Sequence, residues 1–293
     1  MGSPRICFSF DIDWAPEFMI DELAALMSEH ARPFTVFCTH DSPATRRLLA
    51  VPGCETALHP NFLAAFGSDP SGADLHQREA DVLDRLMASF PDARGVRNHA
   101  LYYHSRLLAL FHGRGVEYLS NDLRFLAADT QPYRDWSGLV RVPIYWEDDV
   151  HCVYFDGRFE LDVVLPPESV GPAPAPAPLR VFNFHPVHVF LNTCDLSAYQ
   201  RAKPHLHDRA RAEHARHPGA GVATLLRALL AATPAAQCAS VADVARDHAA
   251  AAPYRGRYPA YLARTGAVAS PVEQPKQAAG DTPDAAPPTS EDP

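Results

Sequence analysis

The chain has 293 residues, 47% of them hydrophobic and 21% charged, which is enough for a large domain with a substantial core. A formal net charge of −9 argues against a function that depends on binding nucleic acid or anionic lipid, and no apolar run approaches the ~18 residues that a membrane span needs. The N-terminal segment MGSPRICFSFDIDW lacks a signal-peptide pattern and the six cysteines have no C-x-x-C spacing, so we expect a cytoplasmic protein with reduced thiols.

Strand and helix patterns alternate through the first 120 residues. Residues 5–13 alternate apolar with polar side chains, which predicts a strand with two distinct faces. Further strands are predicted at 33–39, 54–59, 95–98 and 116–120. Helices are predicted between them at 17–30, 42–49, 74–90 and 105–111. This alternation indicates an α/β fold with parallel strands, and a barrel is the simplest way to close it.

The pattern changes in the second half of the chain. Consecutive strands are predicted at 139–146, 150–155 and 159–165, and a polyproline-like loop at 171–178. A buried strand at 180–191 precedes helices predicted at 197–215, 219–231 and 240–251. Residues 265–293 contain six prolines and no aromatic, Leu, Ile or Met residue. We therefore predict one domain over 1–262 and a disordered Pro/Ala-rich tail over 263–293.

Two carboxylates stand close together at the end of the first predicted strand. Asp11 and Asp13 are two residues apart, so that on a strand their side chains point to the same face. Carboxylates this close repel each other unless a cation or a base lies between them, which favours one metal ligand and one proton acceptor. Two solvated acids at a strand end would show the same spacing.

Two histidines follow short predicted strands and are candidate metal ligands. His59 stands in ETALHPNF and His99 in GVRNHAL, and imidazole suits a divalent metal of borderline softness. Arg97 lies two residues before His99, where its guanidinium would keep a catalytic carboxylate ionised and oriented. A purely structural role is the alternative for each histidine.

Two more histidines interrupt the apolar segment VFNFHPVHVF. His185 is flanked by Asn183 and Pro186, and we favour it over His188 as a general acid on the last barrel strand. A core histidine with satisfied hydrogen bonds would fit the same pattern.

The segment YWEDDVH places Trp146 beside Glu147, Asp148 and Asp149. An aromatic ring next to acids is typical of a sugar site, because the ring stacks and the acids bind hydroxyl groups. A solvated acidic turn is the alternative. The chain lacks the G-x-S-x-G, Walker, G-x-G-x-x-G and H-E-x-x-H motifs, which argues against serine hydrolases, nucleotide-dependent enzymes and zincins.

Six segments in this order, FSFDIDW, THDSP, ALHPNF, GVRNHAL, WEDD and FNFHPVHVFLNT, resemble the polysaccharide deacetylase superfamily. This is the NodB-homology or carbohydrate esterase 4 group, and the likeness is closest to the WbmS-type deacetylases of bacterial O-antigen clusters. The resemblance implies a single-domain α/β fold, a distorted (β/α) barrel of about seven strands, with a divalent metal at the carboxyl ends of the strands. That metal is usually zinc, and nickel, cobalt or manganese would also suit the site.

The resemblance assigns roles to four of the residues named above. Asp11 corresponds to the catalytic base and Asp13 to a metal ligand. Arg97 corresponds to the arginine that pairs with the base, and His185 to the general acid. In the implied reaction a metal-activated water attacks an N-acyl group while Asp11 takes a proton, the oxyanion accepts from the backbone N–H of Ala100, and His185 protonates the departing amine.

The chain departs from the superfamily at one metal ligand. The superfamily motif has two histidines four residues apart, and here His59 is the first but Leu63 stands at the second position. We expect His99 to supply the missing ligand, with Asn61 as the alternative.

The function implied by the resemblance is N-deacetylation of an acylated amino sugar, such as a nucleotide- or lipid-linked precursor in the cytoplasm. The candidate substrate-binding residues are Asn61, Trp146, Glu147, Asp149 and His188. Two other functions stay open: an amidase acting on a non-sugar C–N bond, and a non-catalytic carbohydrate-binding relative that has lost a metal ligand. The lining of the pocket would distinguish the first alternative, and metal content the second.

Overall fold

A computed structural model of the chain describes residues 4–63, 75–155, 157–166 and 177–257. Within these ranges the strands are β1 Arg5–Asp11, β2 Phe34–Cys38, β3 Cys54–Leu58, β4 Gly95–Val96, β5 Tyr118–Leu119, β6 Tyr133–Arg134, β7 Val140–Arg141, β8 Trp146–Glu147 and β9 Leu179–Phe184. The α-helices are α1 Glu17–His30, α2 Pro43–Leu49, α3 Leu75–Ser89, α4 Leu107–Gly113, α5 Asp148–Tyr154, α6 Leu161–Val164, α7 Pro186–Leu191, α8 Leu196–Ala202, α9 Arg209–His214, α10 Val222–Ala232 and α11 Val241–Ala251.

The strands form one curled sheet in the order β6-β7-β5-β4-β3-β2-β1-β9-β8. Every neighbouring pair is parallel except β6 and β7. The predicted single-domain α/β fold with a barrel-like sheet is confirmed. The described residues contain nine strands rather than about seven, and five of them are only two residues long. Because neighbouring parallel strands point the same way, their carboxyl ends share one edge, where polar residues can converge.

Strand β1 lies inside the sheet, between β2 and β9, and both of its faces are buried. Phe8 and Phe10 pack into the larger apolar core beneath the helices, whereas Cys7 joins a second core that includes Val241 of α11. The face that carries Cys7 turns polar at Ser9 and Asp11 as it approaches the carboxyl end. This change of polarity along one face places Asp11 at the edge of the sheet where the carboxyl ends of the strands meet.

Two of the predicted strands are helices. The segments predicted as strands at 150–155 and 159–165 form α5 and α6 instead. In α5 the buried residues are Asp148, His151 and Cys152, which is a helical spacing, and the acids of its first turn suit a helix N-terminus. The prediction of strands was wrong because these short apolar segments fit the two-residue period of a strand and the 3.6-residue period of a helix equally well.

The strand predicted at 180–191 ends earlier than expected. Strand β9 stops at Phe184, and helix α7 begins at Pro186. Proline is favoured at the first position of a helix because its ring presets φ and its missing N–H has no helical partner to lose. His185 therefore lies at the junction of a strand and a helix.

Two sequence predictions fall mainly outside the described residues: most of the polyproline-like loop at 171–178, and the tail at 263–293. Among the helices that are described, none combines the length and the apolar character needed to cross a membrane.

Candidate active site

A cavity of about 290 Å³ opens at the carboxyl edge of the sheet. Seven of the predicted site residues line it: Asp11, Asp13, His59, His99, Glu147, Asp149 and His185. They follow or end strands β1, β3, β4, β8 and β9, because parallel strands deliver their last residues to the same edge.

Asp13, His59 and His99 form one of three groups of described residues that could hold a metal ion; the others are Asp11, Glu147 and His185, and Asp148, His185 and His188. Oδ1 of Asp13 lies 3.2 Å from Nε2 of His59 and 3.1 Å from Nδ1 of His99. One ligand atom from each residue lies within 4.8 Å of the others. Two imidazoles and one carboxylate are typical ligands of zinc and other divalent transition metals, and three protein ligands leave a coordination position open for water or substrate.

Two further observations fit a cation at this group. Nδ1 of His59 is buried without a hydrogen-bond partner in the described part of the chain, and it faces Oδ1 of Asp11 at 3.9 Å. Burial by itself would raise the pKa of Asp13, but hydrogen bonds from His59 and His99 outweigh burial and hold that pKa well below its usual range. The carboxylate is therefore ionised and ready to bind a cation.

The backbone around this group is strained. Asp13 has φ 39°, so the strand ends at Asp11 and the expected strand-type alignment of the two aspartates does not hold. Ala100 and Leu101, which line the same cavity, have φ of 53° and 51°. The side chain of Asn121 holds this loop by donating to the carbonyl of Leu101 at 2.9 Å. Left-handed backbone at non-glycine residues is costly and clusters at functional sites.

Asp11 lies in a buried hydrogen-bond network. Nη1 of Arg97 donates to Oδ1 of Asp11 at 2.9 Å, and Nδ2 of Asn183 donates to Oδ2 at 2.8 Å. Ser120 fixes the guanidinium by accepting from Nε at its carbonyl and from Nη2 at its hydroxyl. Burial would raise the pKa of Asp11, but the positive charge of Arg97 and the neighbouring His59 outweigh burial and lower it. Asp11 is therefore held ionised, which is the form that accepts a proton.

His185, next to Asp11 in the cavity, is paired with the carboxylate of Asp148. Its Nδ1 lies 2.6 Å from Oδ1 of Asp148, and its backbone N–H donates to Oδ2 of the same residue at 2.7 Å. Burial would lower the pKa of His185, but the Asp148 charge and hydrogen bond raise it well above the usual range. The ring is thus protonated at neutral pH and fixed in direction, as a general acid requires.

Asp148 and Asn183 contact the candidate acid and the candidate base, and the sequence reasoning gave neither of them a role of its own. Asn183 precedes His185 by two residues, so their shared face was a usable signal. Asp148 reaches His185 only because β8 pairs with β9 and sets Glu147 opposite Asn183. Asp148 and His185 are 37 positions apart, so no local sequence pattern could predict their contact.

Glu147 and Asp149 add two more carboxyl groups to the cavity. Glu147 accepts a hydrogen bond from Nδ2 of Asn183 at 3.0 Å. Burial and the charge of Asp149 raise the pKa of Glu147 to about 8, and burial also raises the pKa of Asp149. With this pKa Glu147 retains a proton at neutral pH and can donate as well as accept hydrogen bonds, which suits contacts with sugar hydroxyls.

Three predicted substrate-binding residues lie elsewhere. Trp146 is 0% exposed, packs against Phe184 with ring centroids 5.0 Å apart, and donates from Nε1 to His151, so its predicted role as a stacking surface is wrong. His188 is buried behind His185, and its Nδ1 lies 3.0 Å from the hydroxyl of Thr193. Asn61 lines a neighbouring cavity and not the one lined by Asp13 and the two histidines.

The chain is similar to known polysaccharide deacetylases. The family model of WbmS-like polysaccharide deacetylases matches residues 8–203. A crystal structure of a candidate polysaccharide deacetylase involved in O-antigen biosynthesis, from Bordetella bronchiseptica, is 32% identical, covers 78% of this chain and 90% of its own, and superposes with a TM-score of 0.66. No curated protein matches the chain.

Two other solved structures are more distant. A candidate polysaccharide deacetylase from Mycobacterium smegmatis is 16% identical over 85% of this chain and 92% of its own, with a TM-score of 0.47. The 4-α-glucanotransferase of Thermococcus litoralis is 11% identical over 83% of this chain and 38% of its own, also with a TM-score of 0.47.

The family match spans most of the chain and includes every predicted catalytic and metal-binding residue, from Asp11 to His185. It agrees with the structural relative in supporting deacetylation of a polysaccharide, which is hydrolysis of a C–N bond. The chain belongs to the WbmS-like polysaccharide deacetylases.

Proposed function

We propose that the chain is a metal-dependent N-deacetylase that removes an acetyl group from an amino sugar of a cytoplasmic glycan precursor. The observation that carries this proposal is the meeting of three groups in one cavity. These are the Asp13, His59 and His99 cluster, the ionised Asp11 and the protonated His185. Together they offer a cation site, a base and an acid, which amide hydrolysis requires.

Asp13, His59 and His99 would hold the cation, with zinc as the first choice for these ligands. When bound, a divalent cation lowers the pKa of a coordinated water toward ~7 and polarises the acyl carbonyl. Asp11 accepts the proton of the attacking water, and Arg97 and Asn183 keep its carboxylate directed and ionised.

His185 completes the reaction by giving its proton to the departing amine. Asp148 holds the ring through Nδ1, so that Nε2 is the atom left to face the cavity, where it lies 3.9 Å from Oδ2 of Asp13. One ligand atom of His185 lies within 4.8 Å of one of Asp11, so the acid and the base serve the same small site. Glu147 and Asp149 are available for contacts with sugar hydroxyls.

The test combines metal content with turnover. Protein purified without added metal or chelator is analysed for bound elements and for acetate release from N-acetylated sugars, with His99→Ala in parallel. We expect near-stoichiometric zinc or another divalent metal in the unaltered chain, and loss of both metal and acetate release in the variant. His248→Ala is the matched control, because this histidine of α11 does not line the cavity, and it should change neither.

The outcomes separate the possible functions. Metal that survives in His99→Ala would show that the third ligand lies elsewhere, with Asn61 next to be replaced. A chain that takes up no metal even after loading would contradict the deacetylase and support a carbohydrate-binding relative. Acetate released from non-sugar amides but not from sugars would support an amidase.

We further propose that residues 1–262 form the catalytic domain and that the tail at 263–293 is dispensable. Deletion of 266–293 should leave thermal stability and acetate release unchanged. A loss of either in the truncated chain would mean that the tail takes part in the fold or the site.

A further inference from the structure

An exposed aromatic ring lies beside the candidate metal centre. Trp14 immediately follows Asp13 and is 52% exposed, although a large apolar ring in contact with water is costly. Its ring meets the imidazole of His99 edge to face, with centroids 5.1 Å apart. Trp14 therefore contacts His99, a candidate metal ligand, and still has ring surface that a substrate could contact.

The same ring forms one wall of a second cavity, of about 280 Å³. Thr39 and His40, which follow β2, and Pro60 and Asn61, which follow β3, line this cavity together with residues of α3. These residues leave the sheet at the edge that also carries the catalytic cavity. The two cavities are thus neighbours, and Trp14 and His99 form the boundary between them.

The lining of the second cavity suits a sugar ring. Besides the indole it contains a hydroxyl and an imidazole from Thr39 and His40, the amide of Asn61, and Arg85 and Ser89 of α3. A flat apolar surface with several hydrogen-bonding groups around it is the combination that binds a carbohydrate face and its hydroxyls. The cavities, of about 290 and 280 Å³, lie near the lower end of the ~300–1,000 Å³ range of ligand sites, so each suits one ring.

We infer that this second cavity is a carbohydrate subsite in which Trp14 stacks on the glycosyl unit next to the acylated amino sugar. The inference rests on the proposed deacetylase and specifies its substrate: a glycan of at least two units is bound better than a single sugar. Trp14 takes the stacking role that the sequence suggested for Trp146, which is buried.

Calorimetric titration tests the subsite with defined probes. N-acetylglucosamine and its β-1,4-linked di- and trisaccharides are titrated into the metal-loaded full chain and into Trp14→Ala, Trp14→Tyr and Trp136→Ala. Trp136 is the matched control because it is equally exposed, at 58%, and lines neither cavity. We expect affinity to rise about tenfold from one unit to two, because one stacked ring contributes roughly this much. This gain should disappear in Trp14→Ala and persist in Trp14→Tyr and Trp136→Ala.

Two results would overturn the inference: equal affinity for one and two units in the unaltered chain, or a length dependence that survives in Trp14→Ala. Metal content measured on the same samples shows whether Trp14→Ala has disturbed His99. Acetate release separates the subsite from the proposed function. Length-dependent binding through Trp14 without acetate release would contradict the deacetylase and keep the subsite. Acetate release from all probes at equal kcat/KM would keep the deacetylase and reject the subsite.

Discussion

Two clusters of imidazole and carboxylate groups meet at the edge of the sheet, and they differ in what their ligand atoms contact. In the first, Asp13, His59 and His99 converge, and Nδ1 of His59 has no hydrogen-bond partner among the described residues. In the second, both oxygens of Asp148 bind His185, and His188 contacts Thr193 through Nδ1.

The contacts of the two clusters explain why the same residue types, histidine and aspartate, suit metal binding in one and proton transfer in the other. In the first cluster Asp13 accepts hydrogen bonds from both histidines, and a bound cation would take the place of those protons. The second cluster has its hydrogen bonds satisfied, and its carboxylate raises the pKa of His185. We therefore expect metal binding in the first cluster and proton transfer in the second.

The largest expected effect follows from removing the shared ligand of the first cluster. Asp13→Ala should abolish both metal binding and acetate release, because Asp13 contacts both histidines. Elemental analysis measures the first and acetate release the second. Asp148→Ala is the contrasting variant and should keep its metal. Equal metal content in Asp13→Ala and the unaltered chain would reject this ligand.

Asp11→Asn should keep the metal and lose turnover. The amide preserves the shape of the side chain but cannot accept the proton, and general-base catalysis contributes about 10²–10⁴-fold. Acetate release and metal content are measured on the same preparation. Turnover within tenfold of the unaltered chain would mean that another group is the base.

Asp148→Asn should lower kcat by about tenfold to a hundredfold, as expected when a group that orients a catalytic residue is altered. The raised pKa of His185 depends on the Asp148 charge, so removal of that charge lowers this pKa. Because the acid must be protonated to act, activity would then fall at lower pH than in the unaltered chain. A pH profile of kcat measures the shift. An unchanged alkaline limb would exclude His185 as the titrating acid.

The last expected effect concerns the stability of the fold and not its activity. The pKa of Glu147 is raised from 4.5 to about 8, chiefly by burial, so the folded chain binds this proton more tightly than the unfolded chain. The stabilisation is complete below pH 4.5 and is lost as pH rises to about 8, by at most ~1.4 kcal/mol per pH unit. Urea unfolding of Glu147→Gln at pH 5 and pH 8 should show a shallower decline than the unaltered chain. Glu117→Gln, an exposed control, should keep the original slope.

Much of the site could be predicted because its residues follow strands. Asp11, His59, Arg97 and His185 each end or follow a short apolar segment, and parallel strands bring such positions to one edge. Asp13 was expected beside Asp11 because both were placed on one face of a strand. It does line the same cavity, but the chain turns after β1 instead of continuing as a strand.

The aromatic residues mark where sequence reasoning failed. Trp146 stands among acids in the sequence, as a sugar-stacking residue would, yet the pairing of β8 with β9 buries it against Phe184. Trp14 also stands beside an acid, Asp13, and a turn exposes it beside His99. Burial depends on contacts between distant segments, and residue type alone does not determine it.

The sequence by itself determined the alternation of strands and helices in the first half, the residue types of the site and their order, because these depend on local periodicity and side-chain chemistry. Only the tertiary structure decided that residues 148–154 form a helix, that Asp148 meets His185, and that Trp14 rather than Trp146 faces the cavities. These outcomes depend on strand order and on packing between segments far apart in the chain. A local sequence pattern does not determine the free energies of such contacts.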